Sequence, residues 1–545
     1  MNTIAMKVNT EKLVQSLKFS FSNRSTVLGE LMQNARRAGA SAVKFNFDAA
    51  SQTLTVLDDG CGIDDIAALL TVAESGWDEG LMREEHPFGL GFLSALYACE
   101  HLTLVSRCGR LSALTADILS FKDLAVDTSV DWEGETIFTL AGFALEANVI
   151  ENKLKALAEG FGIPVLFNGV ALERYAAFDV STATSPSGLE FVETEVGWVC
   201  LRGDRDDSTI PLASDYFKVY LQGLPIYTSS YGAYRDYLHI IHLDSARFFA
   251  RLPDRDKLID ESEVVSLLRN VLKHLARHRF TALKAEMAPE AFVETFHALS
   301  RWECLDLLND VDYLPTRAVE RITGYPNCAS ELFGDFMAYP AQPVSRSAIA
   351  AGQVEVVTID DDLKEDGAQC YMFAWLRDSL IYRDNLDAGH WLHLMLRHLN
   401  QETVRVELVN ESHFAGFQGN WVWLHVIFCE AYRITIGNDV VLVTDHAYYR
   451  GDEAGETVIV PSGDRSADVI DQVSSFQSEH DDFQQSTHTD ECQAFRNFVV
   501  ANTTDDPALA LQQLLPDFAG CPALFSKAFA ISLDGRGKVV SVLAA

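Results

Sequence analysis

Positive charge is what this chain has least of. Its 545 residues carry 43 lysines and arginines against 78 aspartates and glutamates, for a net charge of −35. So acidic a surface repels phosphate backbones over most of its area. That makes nucleic acid or an anionic membrane an unfavoured partner, with room only for a local basic patch. Long hydrophobic runs are missing too. No stretch approaches eighteen apolar residues without a charge, so a membrane-spanning helix is not expected. The opening MNTIAMKVNTEK lacks the apolar core of a signal peptide, and the expectation is a soluble, cytoplasmic protein. Its ten cysteines are scattered, with no CxxC pair and no His/Cys cluster at zinc spacing. They read as reduced thiols, not as a disulfide frame.

What the chain does have is enough apolar residue, 48%, to bury several cores, and its length calls for more than one domain. The pattern reads as a multidomain α+β protein. Strand and helix signals run together to a linker-like STATSPSG at 181–188, which ends a first domain at 1–182. Strands followed by the helical run VVSLLRNVLKHLARHRFTALKAEM make a second α/β unit at 183–287. Residues 288–345 read as a mainly helical connector, and 346–545 as a strand-rich α+β region of unassigned role. In that last region CYMFAWLRDSLIY is counted among the strands, and DQVSSFQSEHDDFQQSTHTDE reads as a flexible connector.

Chemistry concentrates in the first hundred residues. Glu30 and Asn34 fall one turn apart in ELMQNARRAGAS. Their helix can start at Ser25 or Thr26, is striped by Leu28, Leu31, Met32 and Ala35, and ends at Gly39. A carboxylate so fixed can orient or deprotonate water, and an amide oxygen beside it can take a hydrated Mg²⁺. Asp58 closes a strand, where it can accept a hydrogen bond from a purine amine. Gly60 and Gly62 after it allow a base to lie close to backbone. Gly89 and Gly91 open the apolar helix FLSALYACE, and backbone N–H groups at a helix start favour an anion. Each motif alone has an ordinary structural explanation. Their order and spacing together describe most of an ATP site.

In that order ELMQNA, DDGCGI and FGLGFLSA resemble the three boxes of the GHKL ATPase superfamily, which holds gyrase, the heat-shock-90 chaperones, histidine kinases, MutL and the MORC proteins. The stretch FGLGFLSALYACEHLTLVSR is most similar to the chaperones. The resemblance covers roughly residues 10–285 and implies a GHKL α/β sandwich followed by a transducer-like domain, with ATP and Mg²⁺ as ligands. It implies that Glu30 activates water, Asn34 binds Mg²⁺, Asp58 anchors adenine, and Gly62 and Ile63 line the base. Gly89, Leu90, Gly91 and Phe92 would then contact phosphate, Thr136 would stand near the adenine acceptor, and 64–88 would form a lid containing Ser75-Gly76. In RLPDRDKLIDESE, Arg255 is the implied sensor of the γ-phosphate, with Lys257 as the alternative. Three features depart from the pattern: His86 replaces the first glycine of the loop, Arg37 replaces a common acidic residue, and the lid is shorter.

The function expected on this basis is an ATP-driven conformational clamp on a protein client, hydrolysing ATP and closing as a homodimer. One alternative is a MutL- or MORC-like ATPase in DNA-linked, mobile-element or defence processes. The other is an ATP-binding switch with little turnover.

Overall fold

A computed structural model of the chain describes residues 9–19, 24–71, 91–202, 212, 214–229, 238–251, 255–326, 336–360, 367–452, 455–464, 467–478, 480, 482–516 and 518–544. The chain divides into two compact units, Met1–Met287 with His297–Cys304, and Ala288–Phe296 with Leu305–Ala545.

The first unit begins with helices α1 (Thr10–Leu17) and α2 (Thr26–Arg37). On α2, Val27, Leu28, Leu31, Met32 and Ala35 are buried, which is the apolar stripe the sequence predicts. The helix stops because Gly39 takes φ +72, and Ala40 N–H returns to the Ala35 carbonyl at 3.1 Å. Strands β1 (Val43–Asp48) and β2 (Thr53–Asp58) follow as a hairpin, and β1 alternates buried and exposed residues along its length. Next come α3 (Ile66–Leu70), α4 (Gly91–Ala98), β3 (His101–Ser106), β4 (Gly109–Leu114), α5 (Thr115–Leu119), β5 (Val126–Asp127), β6 (Thr136–Ala141), α6 (Ala147–Ala158), β7 (Val165–Phe167) and β8 (Val170–Ala171). The segment LSALTADIL alternates like a single strand but changes to helix at Thr115.

These strands form one eight-stranded sheet, ordered β5-β4-β3-β6-β2-β1-β7-β8, with only β1 and β7 parallel. Phe45, Leu54, Val56, Leu102, Leu104, Phe138 and Leu140 point from it into one core shared with α2, α4 and α6. The register sets Asp58 opposite Thr136. A slip of one residue in either strand would send that strand's member of the pair to the other face, so the alternation that buries the core also fixes this pairing.

A second sheet in the same unit has the order β12-β11-β13-β10-β9, from β9 (Val192–Thr194), β10 (Gly197–Cys200), β11 (Phe217–Leu221), β12 (Leu224–Thr228) and β13 (His239–Leu243). The β11–β12 turn places Gln222 and Gly223 at φ +52 and +79, the left-handed pair that a two-residue hairpin requires. The long helix α7 (Glu261–Glu286) follows.

In the second unit a five-stranded sheet holds 319–322, 337–338, 356–358, 380–382 and 397–398, and another is built on the hairpin Val404–Gln418 with Trp423–Ile436. Two expectations change here. CYMFAWLRDSLIY is a buried helix, Ala368–Leu376, turned at Asp378 (φ +56) into the strand Leu380–Tyr382. An apolar run buried on all sides has no period from which to tell helix from strand. The polar stretch from 471 onward is structured as well: Ile470, Phe476 and Phe495 are core residues, and the helix Gln485–Thr503 starts within it. Among the described residues no helix is long and apolar enough to cross a membrane.

Candidate functional site

Glu30 is the centre of the arrangement. It is buried on α2 and its carboxylate lies against the start of α4: a Cβ added to Gly91 would stand 2.1 Å from Glu30 Oε2. Any side chain at 91 would displace the carboxylate, so this glycine is required by contact. Gly91 opens an eight-residue helix, whose first N–H groups have no intrahelical acceptor. A carboxylate and the start of a helix, where backbone N–H groups favour an anion, thus meet at one point.

Asn34, one turn on, is half-buried, and its amide makes no hydrogen bond to a described residue. It offers a neutral oxygen beside an acid, which fits a hydrated Mg²⁺. Phe92 turns its ring toward the core, 6.4 Å from Phe138, so any ligand contact from it comes through backbone. Gly89, Leu90, Ser75, Gly76, His86 and residues 72–88 of the lid expected at 64–88 lie outside the described residues.

The segment between β13 and α7 contributes the cation. Arg255 Nε is 3.3 Å from Glu30 Oε1, with the two side chains only 14% and 9% exposed. Arg255 adopts φ +52, a conformation that costs a residue with a side chain about 1–3 kcal/mol and is found where surroundings over-determine it. Its Nη1 donates to Gln222 Oε1 at 3.2 Å, and Arg37 Nη2 donates to the same oxygen at 3.3 Å. The Gln222 carbonyl accepts from Gln33 Nε2 at 2.9 Å. Lys257, the alternative sensor, is exposed. Gln222 and Gln33 were not singled out from sequence; the only signal was the QG turn inside YLQGLP.

At the other end, Asp58 and Asp59 are adjacent but differently used. Asp59 accepts from Ser41 N–H at 2.7 Å and from the Ser41 hydroxyl, and the hydroxyl above all holds its carboxyl below the usual range. Asp58 is half-buried, and desolvation raises its carboxyl above the ordinary value, with Asp59 and Glu135 adding repulsion against a single Gly60 N–H at 3.1 Å. An acceptor under strain of this kind gains from a bound donor.

Around it, Ile63 N–H donates to Ser106 Oγ at 2.8 Å, and Ser106 Oγ lies 2.9 Å from Thr136 Oγ1. Gly60 is close-packed: a Cβ there would meet Ala38 Cβ at 2.5 Å. Gly62, at φ +80, lies beneath Trp132, whose ring also faces the Arg107 guanidinium at 5.1 Å. The structure therefore brings Asp58, Gly60, Gly62, Ile63 and Thr136 together at one sheet end, and Glu30, Asn34, Gly91 and Arg255 around α2. Ser106 and Trp132 join the first group without having been anticipated.

Residues 22–135 match the family described as histidine kinase-, DNA gyrase B-, and HSP90-like ATPase. The match supports ATP binding by a GHKL-type ATPase domain at this end of the chain; it takes in Glu30, Asn34, Asp58 and Gly91 and stops one residue before Thr136. No curated protein matches the chain.

Proposed function

We propose that the chain is a Mg²⁺-dependent ATPase in which hydrolysis at Glu30 is coupled, through Arg255, to a conformational clamp on a protein partner. The observation that carries this reading is the buried contact of Glu30 with both Gly91 and Arg255. In it, Asp58 accepts from the adenine amino group while Gly62 and Ile63 flank the base. The amides that begin α4 hold phosphate. Asn34 would hold Mg²⁺, which would supply charge neutralisation at the phosphates. Glu30 orients a water for attack on the γ-phosphorus and takes up its proton, and ADP departs as the β–γ bridging bond breaks.

Coupling follows from the ion pair. Arg255 pairs with Glu30; a γ-phosphate offers the guanidinium a second, doubly charged partner and frees the carboxylate for water. Because Arg255 comes from the segment between β13 and α7, and Gln222 from the β11–β12 turn, such an exchange is felt in the second sheet. The clamp reading fits the acidic surface better than a nucleic-acid path does. A homodimer closed by ATP, and a protein client, belong to the same proposal.

Titration of the full chain with ATP and Mg²⁺ tests it. Asp58→Asn is expected to lose nucleotide, and equal affinity in the two proteins would remove the adenine assignment. Light scattering with and without a non-hydrolysable ATP analogue tests the dimer, which a constant mass would contradict.

A further inference from the structure

The helix Gln485–Thr503 carries His488 and Cys492 one turn apart on the same face. The short helix Ile470–Val473 brings Asp471 against them. His488 is buried, with Asp471 and Cys492 half-buried. Asp471 Oδ1 is in hydrogen-bond contact with His488 Nε2, and Cys492 Sγ lies 3.4 Å from that same nitrogen. The three atoms all fall within 4.8 Å of one another. Phe476 and Phe483 flank the imidazole with ring centroids at 5.2 and 5.4 Å, which fixes its plane.

A cysteine nucleophile would need a different arrangement. In a relay the thiol and the orienting carboxylate sit on opposite ring nitrogens, so that a proton taken at one is balanced at the other. Here both converge on Nε2, which carries at most one proton and cannot serve two partners as a base and an oriented donor. Three donor atoms converging from two elements have a simpler common partner, a cation between them. Nitrogen, oxygen and sulfur together are a borderline-soft set suited to Zn²⁺. Tetrahedral bonds of about 2.0–2.3 Å put neighbouring ligand atoms about 3.3–3.6 Å apart; the Sγ–Nε2 separation of 3.4 Å falls within that span, whereas Asp471 Oδ1, in direct hydrogen-bond contact with Nε2, has to swing aside to admit the ion.

We propose that Asp471, His488 and Cys492 bind one Zn²⁺ ion, with the fourth position open to water or an external ligand. The ion ties the segment at 470–473 to the helix at 485–503. The site owes nothing to the ATP assignment and stands or falls separately from it.

The test uses the full chain, stripped by chelator and dialysed against Zn²⁺, with metal content measured by plasma emission. Co²⁺ is then titrated as a spectroscopic substitute. The parent protein is expected to retain one equivalent of Zn²⁺ more than His488→Ala. It should also give a thiolate-to-cobalt charge-transfer band that Cys492→Ser loses, with affinity lower by at least about tenfold. Circular dichroism checks folding, and if His488→Ala does not fold, the near-isosteric Cys492→Ser decides. Equal stoichiometry with an unchanged cobalt band in the variants would overturn the site by assigning the metal to other cysteines, and no metal retained by the parent protein would overturn it outright.

Discussion

Glu30 with Asn34, and His488 with Cys492, are each a pair of polar side chains set one helical turn apart, and they differ in what meets them. Glu30 is met by the cation Arg255 and the bare backbone of Gly91. His488 and Cys492 are met by the carboxylate of Asp471. In the first region opposite charges are matched, and on the proposed reading the pair is opened by a phosphate that competes for the arginine. In the second a carboxylate faces an imidazole and a thiol, and on the zinc proposal a cation completes the set. A helical turn supplies the same spacing to both, and the two proposals differ in the charge that the opposing element brings.

Arg255→Ala is the largest test of the first half of that contrast. If the arginine leaves Glu30 for the γ-phosphate, turnover falls roughly 10³-fold, the lower end of what such arginines contribute, while Lys257→Ala, at an exposed position, stays near the parent rate. Loss of thermal stability in Arg255→Ala with unchanged turnover would make the ion pair structural only. Gly91→Ala is expected next, at about 100-fold, because the added methyl occupies the space of Glu30 Oε2 and a misplacement of about 1 Å costs that much; an unchanged kcat would mean the carboxylate is not the working group. Gln222→Ala removes the acceptor shared by Arg255 and Arg37 and should lower turnover only about threefold to tenfold, with the ATP affinity little changed.

The smallest effect separates Asp58 from Asp59. Burial raises the Asp58 carboxyl in the folded chain above the ordinary 3.8, so the folded state favours its protonated form. The resulting penalty on stability is absent below the unfolded value, builds as pH rises from there through the raised folded value, and is fully present at neutral pH. Asp58→Asn should therefore raise the Tm of the nucleotide-free protein slightly, by about 1 °C at pH 7, with no gain at pH 3. Asp59 has the opposite shift, so its contribution is present at neutral pH and lost as pH falls through its lowered value; Asp59→Ala should lower the Tm. Matching signs for the two variants at pH 7 would break the distinction.

Much of the nucleotide region was legible because its parts are local. Glu30 and Asn34 share one helix that Gly39 ends, and Asp58, Gly60 and Gly62 one strand end, so period and turn chemistry locate them directly. The QG turn of Gln222 lies nearly two hundred positions from Gln33 in the chain, and nothing in its composition says which helix it will meet. Trp132 was illegible for the same reason, since its packing over Gly62 depends on the path between β5 and β6. In the second unit the HTDEC spacing was present to be read, but its third member, Asp471, sits 17 residues before His488 in a stretch whose polar composition argued for a loose connector. The buried Phe476 and Phe495 and the half-buried Phe483 overrode that composition.

Glu30→Ala offers the most direct test, with ATP affinity and single-turnover hydrolysis measured on the same preparation. The assignment predicts that the variant binds Mg²⁺-ATP within a few-fold of the parent chain and hydrolyses it at least about 100-fold more slowly. Hydrolysis at the parent rate would contradict it.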